Sequence, residues 1–207
     1  MANSDGLSTR DRILTLLRLR GAMTAQELAP ELSICVSAVR QHTALLERDG
    51  LILSRPRKSR VGRPGKEYAL TDASEDEFPK AYKQVALQIL AAVREVGGEE
   101  MLGKVIASRY AGVKKNIEPE LRHLPPQERL RRIAKRQETN GYLARFEEDD
   151  HQQRLIQHNC PAMGVSAQFP QFCECERQMY EELIGRRVHL DSSRSQGAHC
   201  CTFTVQF

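Results

Sequence analysis

A pattern of three short helices followed by a β-hairpin covers residues 8–71 and restricts this region to very few small folds. The predicted helix starts are Ser8 or Thr9, Thr24 and Val36. The second start is the clearest, because Glu27 stands three residues after Thr24 as in a capping box. Apolar strands are predicted at Leu51–Ser54 and Glu67–Thr71. This order of elements predicts a winged helix-turn-helix.

Basic residues concentrate in the loop of the predicted hairpin. Residues 55–66 (RPRKSRVGRPGK) carry six cations and no anion. Residues 1–70 hold 12 Lys and Arg against 7 Asp and Glu, whereas the remaining 137 residues hold 19 against 20. Cations at a hairpin tip neutralise phosphates, and the flat Gly62-Arg63-Pro64 tripeptide suits a narrow minor groove. A solvated hairpin tip is the alternative, but the three preceding helices favour DNA.

The third predicted helix, Val36 to Asp49, presents side chains suited to reading bases. Val39, Leu45 and Leu46 are available to the core, and Ala44 faces outward with the polar residues. The donors of Arg40 and Gln41 match guanine and adenine edges in the major groove. His42 suits a phosphate contact or a plain surface position equally, and Cys35 is expected to fill the preceding turn as a small apolar residue. The candidate DNA-contacting residues are Ser37, Ala38, Arg40, Gln41, His42, Arg60 and Arg63.

The middle of the chain predicts amphipathic helices. Apolar residues repeat at helical spacing from Tyr82 to Val93 and from Leu102 to Val113, on either side of Gly97-Gly98. A third helix follows Pro125-Pro126, and the acidic stretch 72–78 is predicted as a linker or a helix start. The apolar faces need cover, either from the rest of the chain or from a second copy. We favour a homodimer, because winged-helix proteins commonly bind two related half-sites.

Five of the six cysteines fall in the last 48 residues, within a predicted small α+β domain. Cys173 and Cys175 lie about 200° apart on a helix, and Cys200 and Cys201 point to opposite faces of a strand. A single site therefore takes Cys160 with one cysteine from each pair, one thiolate short of a tetrahedral set. The open candidates for the fourth ligand are Cys175, His199, Asp191, Ser193, Glu176, a small molecule or water. Small buried cysteines in a reduced protein are the alternative.

Several motifs together resemble one family. They are SAVRQH, LLERDGLI and GRPGKEYALT near the N-terminus, and HNCP, FCECE and GAHCCTFTV near the C-terminus. The chain resembles the Suf-operon repressor (SufR-type) family of winged-helix transcriptional repressors. The resemblance implies a homodimer with an iron–sulfur cluster, 4Fe–4S in preference to 2Fe–2S, held by Cys160, Cys173 and Cys201. Ser193 stands where the family pattern has a further cysteine. Three interpretations follow: an unusual fourth ligand, substitution by Cys175 or Cys200, or a cluster that is weakly bound or lost.

The sequence thus predicts three regions: a winged-helix DNA-binding domain (1–74), a helical dimerisation region (75–140) and a cysteine-rich iron–sulfur sensor domain (141–207). The polar N-terminus resembles no targeting signal and no apolar stretch is long enough for a membrane span, so we expect a cytoplasmic protein.

The primary functional hypothesis is a repressor, not an enzyme, whose affinity for a double-stranded DNA operator depends on the cluster. In this hypothesis the cluster sets the spacing of two recognition helices in a dimer. One alternative keeps the winged-helix regulator but gives it a structural zinc site or direct thiol-redox sensing. Another is a thiol redox enzyme or electron carrier, although no C-x-x-C pair is present.

Overall fold

The computed structural model describes residues 6–57 and 65–206 of the chain. Two compact units divide between Lys80 and Ala81. The first is a winged helix, and the second combines helices with an antiparallel sheet, so the predicted α+β class and the N-terminal winged helix are confirmed. Among the described residues, we find no helix with the length and apolar character required to cross a membrane.

The described part of the first unit contains three α-helices and a three-stranded antiparallel sheet. Its elements are α1 (Thr9–Arg20), β1 (Met23–Thr24), α2 (Ala25–Leu32), α3 (Val36–Arg48), β2 (Ile52–Arg57), β3 (Gly65–Leu70) and a short 3-10 helix (Asp72–Glu77). The strand order is β1-β3-β2. The β2–β3 ladder runs from Ile52 opposite Leu70 to Arg57 opposite Gly65. The hairpin strands therefore extend further into the basic loop than predicted, and the acidic stretch forms the 3-10 helix.

Side-chain caps fix the helix starts of this unit. Ser8 Oγ accepts a hydrogen bond from the Asp11 backbone N–H at 3.2 Å, and the Asp11 carboxylate accepts one from the Ser8 N–H. Thr24 and Glu27 form the same reciprocal pair, as the sequence predicted. Gly21 ends α1 with a φ of 78°, a conformation that glycine adopts without steric cost.

The core of the first unit is mainly aliphatic, and each of its three helices buries one face in it. Ile13, Leu28, Val39 and Leu46 are almost fully buried. The expectation that Leu45 joins this core is wrong, because its side chain is 48% exposed. Adjacent helical residues point about 100° apart, and Leu46 takes the inward position.

The second unit contains the remaining helices and a four-stranded sheet. Its described elements are α4 (Tyr82–Leu121), α5 (Pro126–Thr139), β4 (Ala144–Glu148), β5 (Gln152–Gln157), α6 (Met163–Ser166), α7 (Gln171–Ile184), β6 (Val188–Ser192), a 3-10 helix (Arg194–Gln196) and β7 (Cys201–Gln206). Gly98 interrupts α4 with a φ of 69° and a ψ of −176°. The two helices predicted on either side of Gly97-Gly98 are thus separated by one non-helical residue.

The sheet of the second unit has the order β4-β5-β7-β6, and all neighbouring strands are antiparallel. Tyr180 of α7 packs edge-to-face on Phe203 of β7, with ring centroids 5.0 Å apart. Leu102 of α4 and Leu130 of α5 are buried in the same core. This packing holds α7 against the strand that begins at Cys201.

Candidate functional sites

Helix α3 exposes the residues predicted to contact DNA. Ser37, Arg40 and Gln41 are exposed, and Ala38 and His42 are half-buried. Arg40 also lines an open groove between α3 and β3, together with Ala44, Glu47 and Lys66. The outward face of α3 is therefore polar and accessible within this unit, and contact with DNA stays a prediction.

The described cations of the basic loop are paired with acidic residues from other positions. The pairs are Arg55 with Glu67 at 2.8 Å, Arg57 with Glu27 at 2.7 Å, and Lys66 with Glu47 at 3.1 Å. The loop sequence contains no anion, but the fold supplies one to each of these three cations. Such exposed ion pairs are worth only ~0–1 kcal/mol, so phosphates compete for the cations at little cost. Arg60 and Arg63 lie outside the described residues.

Cys35 precedes α3 as its N-terminal flanking residue. It is exposed, so the expectation that it fills the turn as a small apolar residue is wrong. Its Sγ atom lies 3.1 Å from Ser37 Oγ, and this hydrogen bond lowers the pKa of the Cys35 thiol. The turn is closed by backbone hydrogen bonds to Ala29 and Pro30 instead.

Three cysteines of the second unit line one small cavity. Cys160 lies in the loop after β5, Cys173 in the first turn of α7, and Cys201 at the start of β7. Phe172, Leu190 and Phe203 form part of the apolar wall of the cavity. Three segments far apart in sequence thus bring one thiol each to the same place. All six cysteines of the chain are free thiols.

The sulfur atoms have polar neighbours, mostly from the segment after β6. Arg194 N–H donates to Cys201 Sγ at 3.3 Å, Ser195 Oγ lies 3.2 Å from Cys173 Sγ, and Ser166 Oγ lies 3.9 Å from Cys160 Sγ. Ser193, which is buried, also donates to Cys173 Sγ, at 3.8 Å. Burial raises the pKa of the Cys160 and Cys201 thiols. Both are therefore neutral thiols at pH 7 unless a cation draws off their protons.

Neither of the other two C-terminal cysteines lines this cavity. Cys175, the first candidate for a fourth ligand, lines a separate surface pocket with Ala107, Lys114 and Met179. The prediction that Cys175 is a fourth ligand is therefore wrong. Cys175 follows Cys173 by two positions on α7, so its side chain points about 200° away from that of Cys173. Cys200 lies beside Thr202, with Sγ and Oγ1 3.8 Å apart. His199 is exposed and its ring packs against His158, so it also misses the cavity.

Glu176 and Ser193 are the two proposed alternatives for a fourth ligand that do line the cavity. Glu176 is only 7% exposed and accepts a hydrogen bond from the Tyr180 hydroxyl at 2.9 Å. That hydroxyl accepts hydrogen bonds from the side-chain amides of Gln137 and Gln157, at 2.5 and 3.1 Å. Burial raises the pKa of the Glu176 carboxyl. A buried polar network therefore ends at the wall of the thiol cavity.

Within residues 6–57 and 65–206, no three or more His, Cys, Asp or Glu side chains are arranged to hold a metal ion. The thiols of Cys160, Cys173 and Cys201 line the cavity but are not arranged around one point that a single metal ion could occupy. Iron–sulfur clusters are held by cysteine thiolates, and the cavity brings together three cysteines that could serve as such ligands. The donor set of three thiols in an apolar pocket fits iron–sulfur chemistry.

The sequence named Ser193 and Glu176 as candidates, but it did not indicate Ser166, Ser195 or the glutamine–tyrosine network. Ser166 and Ser195 carry no pattern that marks them, since only the fold brings them to the sulfur atoms. Glu176 had a detectable signal, because it lies one helical turn after Cys173 and hence on the same face of α7.

Comparisons with known proteins give only weak similarity. No protein-family model matches the chain, and no curated protein matches it. Among solved structures, it is similar to Lactococcus lactis ZitR, described as a zinc-responsive MarR family member (22% identity, 45% of this chain and 78% of that one, TM-score 0.30). It is also similar to the transcriptional regulator Tm0710 from Thermotoga maritima (19%, 57% and 80%, TM-score 0.33). The winged helix is therefore identified from the elements of this chain itself.

Proposed function

We propose that this protein is a DNA-binding transcriptional repressor whose operator affinity is controlled by an iron–sulfur cluster bound in the second unit. The observation that carries the proposal is the meeting of Cys160, Cys173 and Cys201 at one cavity, in a chain that also contains a winged helix. The family resemblance of the sequence motifs points the same way.

The DNA-binding part is supported by the outward face of α3. Arg40 and Gln41 are exposed side chains with donors suited to base edges. The described wing cations are held by ion pairs at the surface, and Lys66 also lies over the ring of Tyr68, so they remain available to phosphates. Affinity should therefore fall steeply as salt rises, because phosphate contacts release counterions.

Arg40→Ala tests this part. An operator selected from a random duplex library is titrated with wild type and variant, and binding is followed by fluorescence anisotropy. We expect about tenfold or greater loss, since a good base contact is worth ~1–3 kcal/mol. Arg20→Ala is the matched control, because Arg20 is an exposed arginine of the same unit that pairs with Glu31. Equal affinities for the two variants would exclude Arg40 from the interface.

The cluster would be held by Cys160, Cys173 and Cys201. When bound, it supplies a redox-active and oxygen-sensitive group. The residues of the chain keep water away through Phe172, Leu190 and Phe203, and the Arg194 N–H stabilises negative charge on Cys201. Cys173 lies in the first turn of α7, where the helix dipole also favours a negative ligand.

The homodimer is supported by an apolar row on the first half of α4. Tyr82, Val85, Ile89, Ala92 and Val96 follow one another at intervals of three and four residues and are all exposed. Val96 is 90% exposed and Ile89 58%, which is unusual for neighbouring aliphatic residues on one helix face. Such spacing is that of a helix–helix seam, and a second copy of the chain would bury it.

Adjacent cysteines provide the test of the cluster. Iron and acid-labile sulfide are counted per chain after anaerobic purification, with a visible absorption spectrum. We expect a cluster in wild type and in Cys200→Ser, and its loss in Cys201→Ser. Of these two adjacent cysteines, Cys201 lines the cavity and Cys200 does not. Wild type without iron and sulfide would refute the proposal, and so would equal losses in the two variants.

A further inference from the structure

The thiol cavity contains a buried carboxyl group that the three cysteines do not explain. Glu176 lies one turn after Cys173 on α7, so both side chains reach the cavity from the same helix face. It is the sole Asp or Glu among the described residues that line this cavity. An ionised carboxylate is costly to bury and in proteins is paired with a cation or binds a metal, whereas a buried carboxyl without such a partner keeps its proton.

The surroundings of Glu176 provide no direct cationic partner within the described part of the chain. Its carboxylate accepts a hydrogen bond from the hydroxyl of Tyr180, which is a neutral group. Arg109 acts only through a longer-range attraction. Glu176 lines the same cavity as Cys160, Cys173 and Cys201, and it forms no ion pair within the described part of the chain.

Ser193 is the competing oxygen donor and is less suited to ligation. Its hydroxyl is engaged with Cys173 Sγ at 3.8 Å and with Ser195 Oγ at 2.8 Å. A serine hydroxyl must lose a proton of high pKa before it binds iron, whereas a carboxylic acid releases its proton far more readily. Ser193 and Ser195 thus act as hydrogen-bond neighbours of Cys173.

We propose that Glu176 is the fourth protein ligand of the cluster, binding through a carboxylate oxygen beside the thiolates of Cys160, Cys173 and Cys201. The proposal rests on the proposed function. Binding releases one proton from the carboxyl, and one iron takes oxygen in place of the missing cysteine sulfur. The hydrogen bond from the Tyr180 hydroxyl, which itself accepts one from the amide of Gln157, positions the carboxylate for this role.

The test is 57Fe Mössbauer spectroscopy of the anaerobic full-length chain, with iron release to a chelator as a second readout. Wild type should show one iron site distinct from the sulfur-ligated irons. In Glu176→Gln, which keeps the size and a hydrogen-bond acceptor for Tyr180, the parameters of that site should shift. Iron should also leave about tenfold faster or more, since even outer-shell partners of a metal site are worth ~10–100-fold.

Glu174→Gln is the matched control and should leave both readouts unchanged, because Glu174 is an exposed glutamate of the same helix that pairs with Arg177 and does not line the cavity. In Ser193→Ala the distinct iron site should persist, because Ser193 only donates a hydrogen bond to Cys173 Sγ. Glu176→Cys is the second variant, used if Glu176→Gln does not fold, and the distinct site should disappear in it as sulfur replaces oxygen. A cluster whose distinct site is unchanged in Glu176→Gln, persists in Glu176→Cys, or is lost in Ser193→Ala instead would overturn the assignment. Wild type without iron and sulfide would overturn the proposed function itself.

Discussion

Tyr180→Phe removes one buried hydroxyl on which three side chains converge. The hydroxyl donates to Glu176 and accepts from Gln137 and Gln157, and Tyr180 is 0% exposed. The variant leaves one carboxyl and two amide groups short of a partner. Each buried group left unpaired costs ~1–3 kcal/mol. Gln137 retains its contact with Asn140 and can adjust, so we expect a loss of about 3 kcal/mol in the stability of the second unit.

Hydrogen exchange of the full chain, read by mass spectrometry on peptides from α7 and β5, measures this loss where it occurs. Since ~1.4 kcal/mol corresponds to a factor of ten, the protected amides should exchange roughly 100-fold faster. Tyr110→Phe is the matched control: it truncates a buried tyrosine of the same unit whose hydroxyl forms no hydrogen bond within the described residues. An acceleration below about fivefold, or an equal effect of Tyr110→Phe, would refute the view that this network carries stability.

Three further perturbations test the fold. Gly98→Ala should lower the melting temperature of the second unit, because a side chain at a φ of 69° and a ψ of −176° costs ~1–3 kcal/mol. Gly103→Ala should raise the melting temperature, since Gly103 is helical and an added Cβ meets no atom within 4 Å. Equal shifts of the two variants, measured by circular dichroism, would contradict this. The Thr24 N–H and the Arg57 guanidinium lower the pKa of Glu27 in the folded state. The ionised Glu27 therefore stabilises the fold above its unfolded pKa of about 4.3. This contribution to the free energy of unfolding should be lost as the pH falls through the folded pKa. The melting temperature of Glu27→Gln should change less with pH in the acid range than that of wild type. Identical pH profiles would exclude a stabilising role for the ionised Glu27. In sedimentation velocity Ile89→Lys should give monomers, whereas Gln88→Lys, on the adjacent exposed position, should remain a dimer; no dimer in wild type would remove this part of the proposal.

Local rules in the sequence were sufficient for the helix starts and for the conclusion that one site takes only one cysteine of each pair. The capping pair of Thr24 and Glu27 appears as predicted, since it depends on residues three positions apart, and Ser8 is the cap of α1, one of the two residues predicted for that position. The opposed directions of Cys173 and Cys175, and of Cys200 and Cys201, follow from helix and strand geometry alone. One cysteine of each pair does line the cavity with Cys160.

Contacts between residues far apart in the sequence could not be predicted from such local rules. Arg57 finds Glu27 thirty residues away, and this pairing depends on how the hairpin packs beside α2. The hydroxyl of Tyr180 meets Gln137 from α5 and Gln157 from β5, which no spacing rule relates. Leu45 and Leu46 are equally apolar, so only the packed orientation of α3 decides which is buried.

The central claim is that the state of the thiol cavity controls DNA affinity. Its most direct test is the dissociation constant for the selected operator, measured anaerobically before and after iron is removed with a chelator. We predict at least about a tenfold change, the scale of a typical coupling of ~1–3 kcal/mol, in wild type and in Cys200→Ser, and none in Cys201→Ser. Equal affinities of the wild-type protein with and without its iron would contradict the claim.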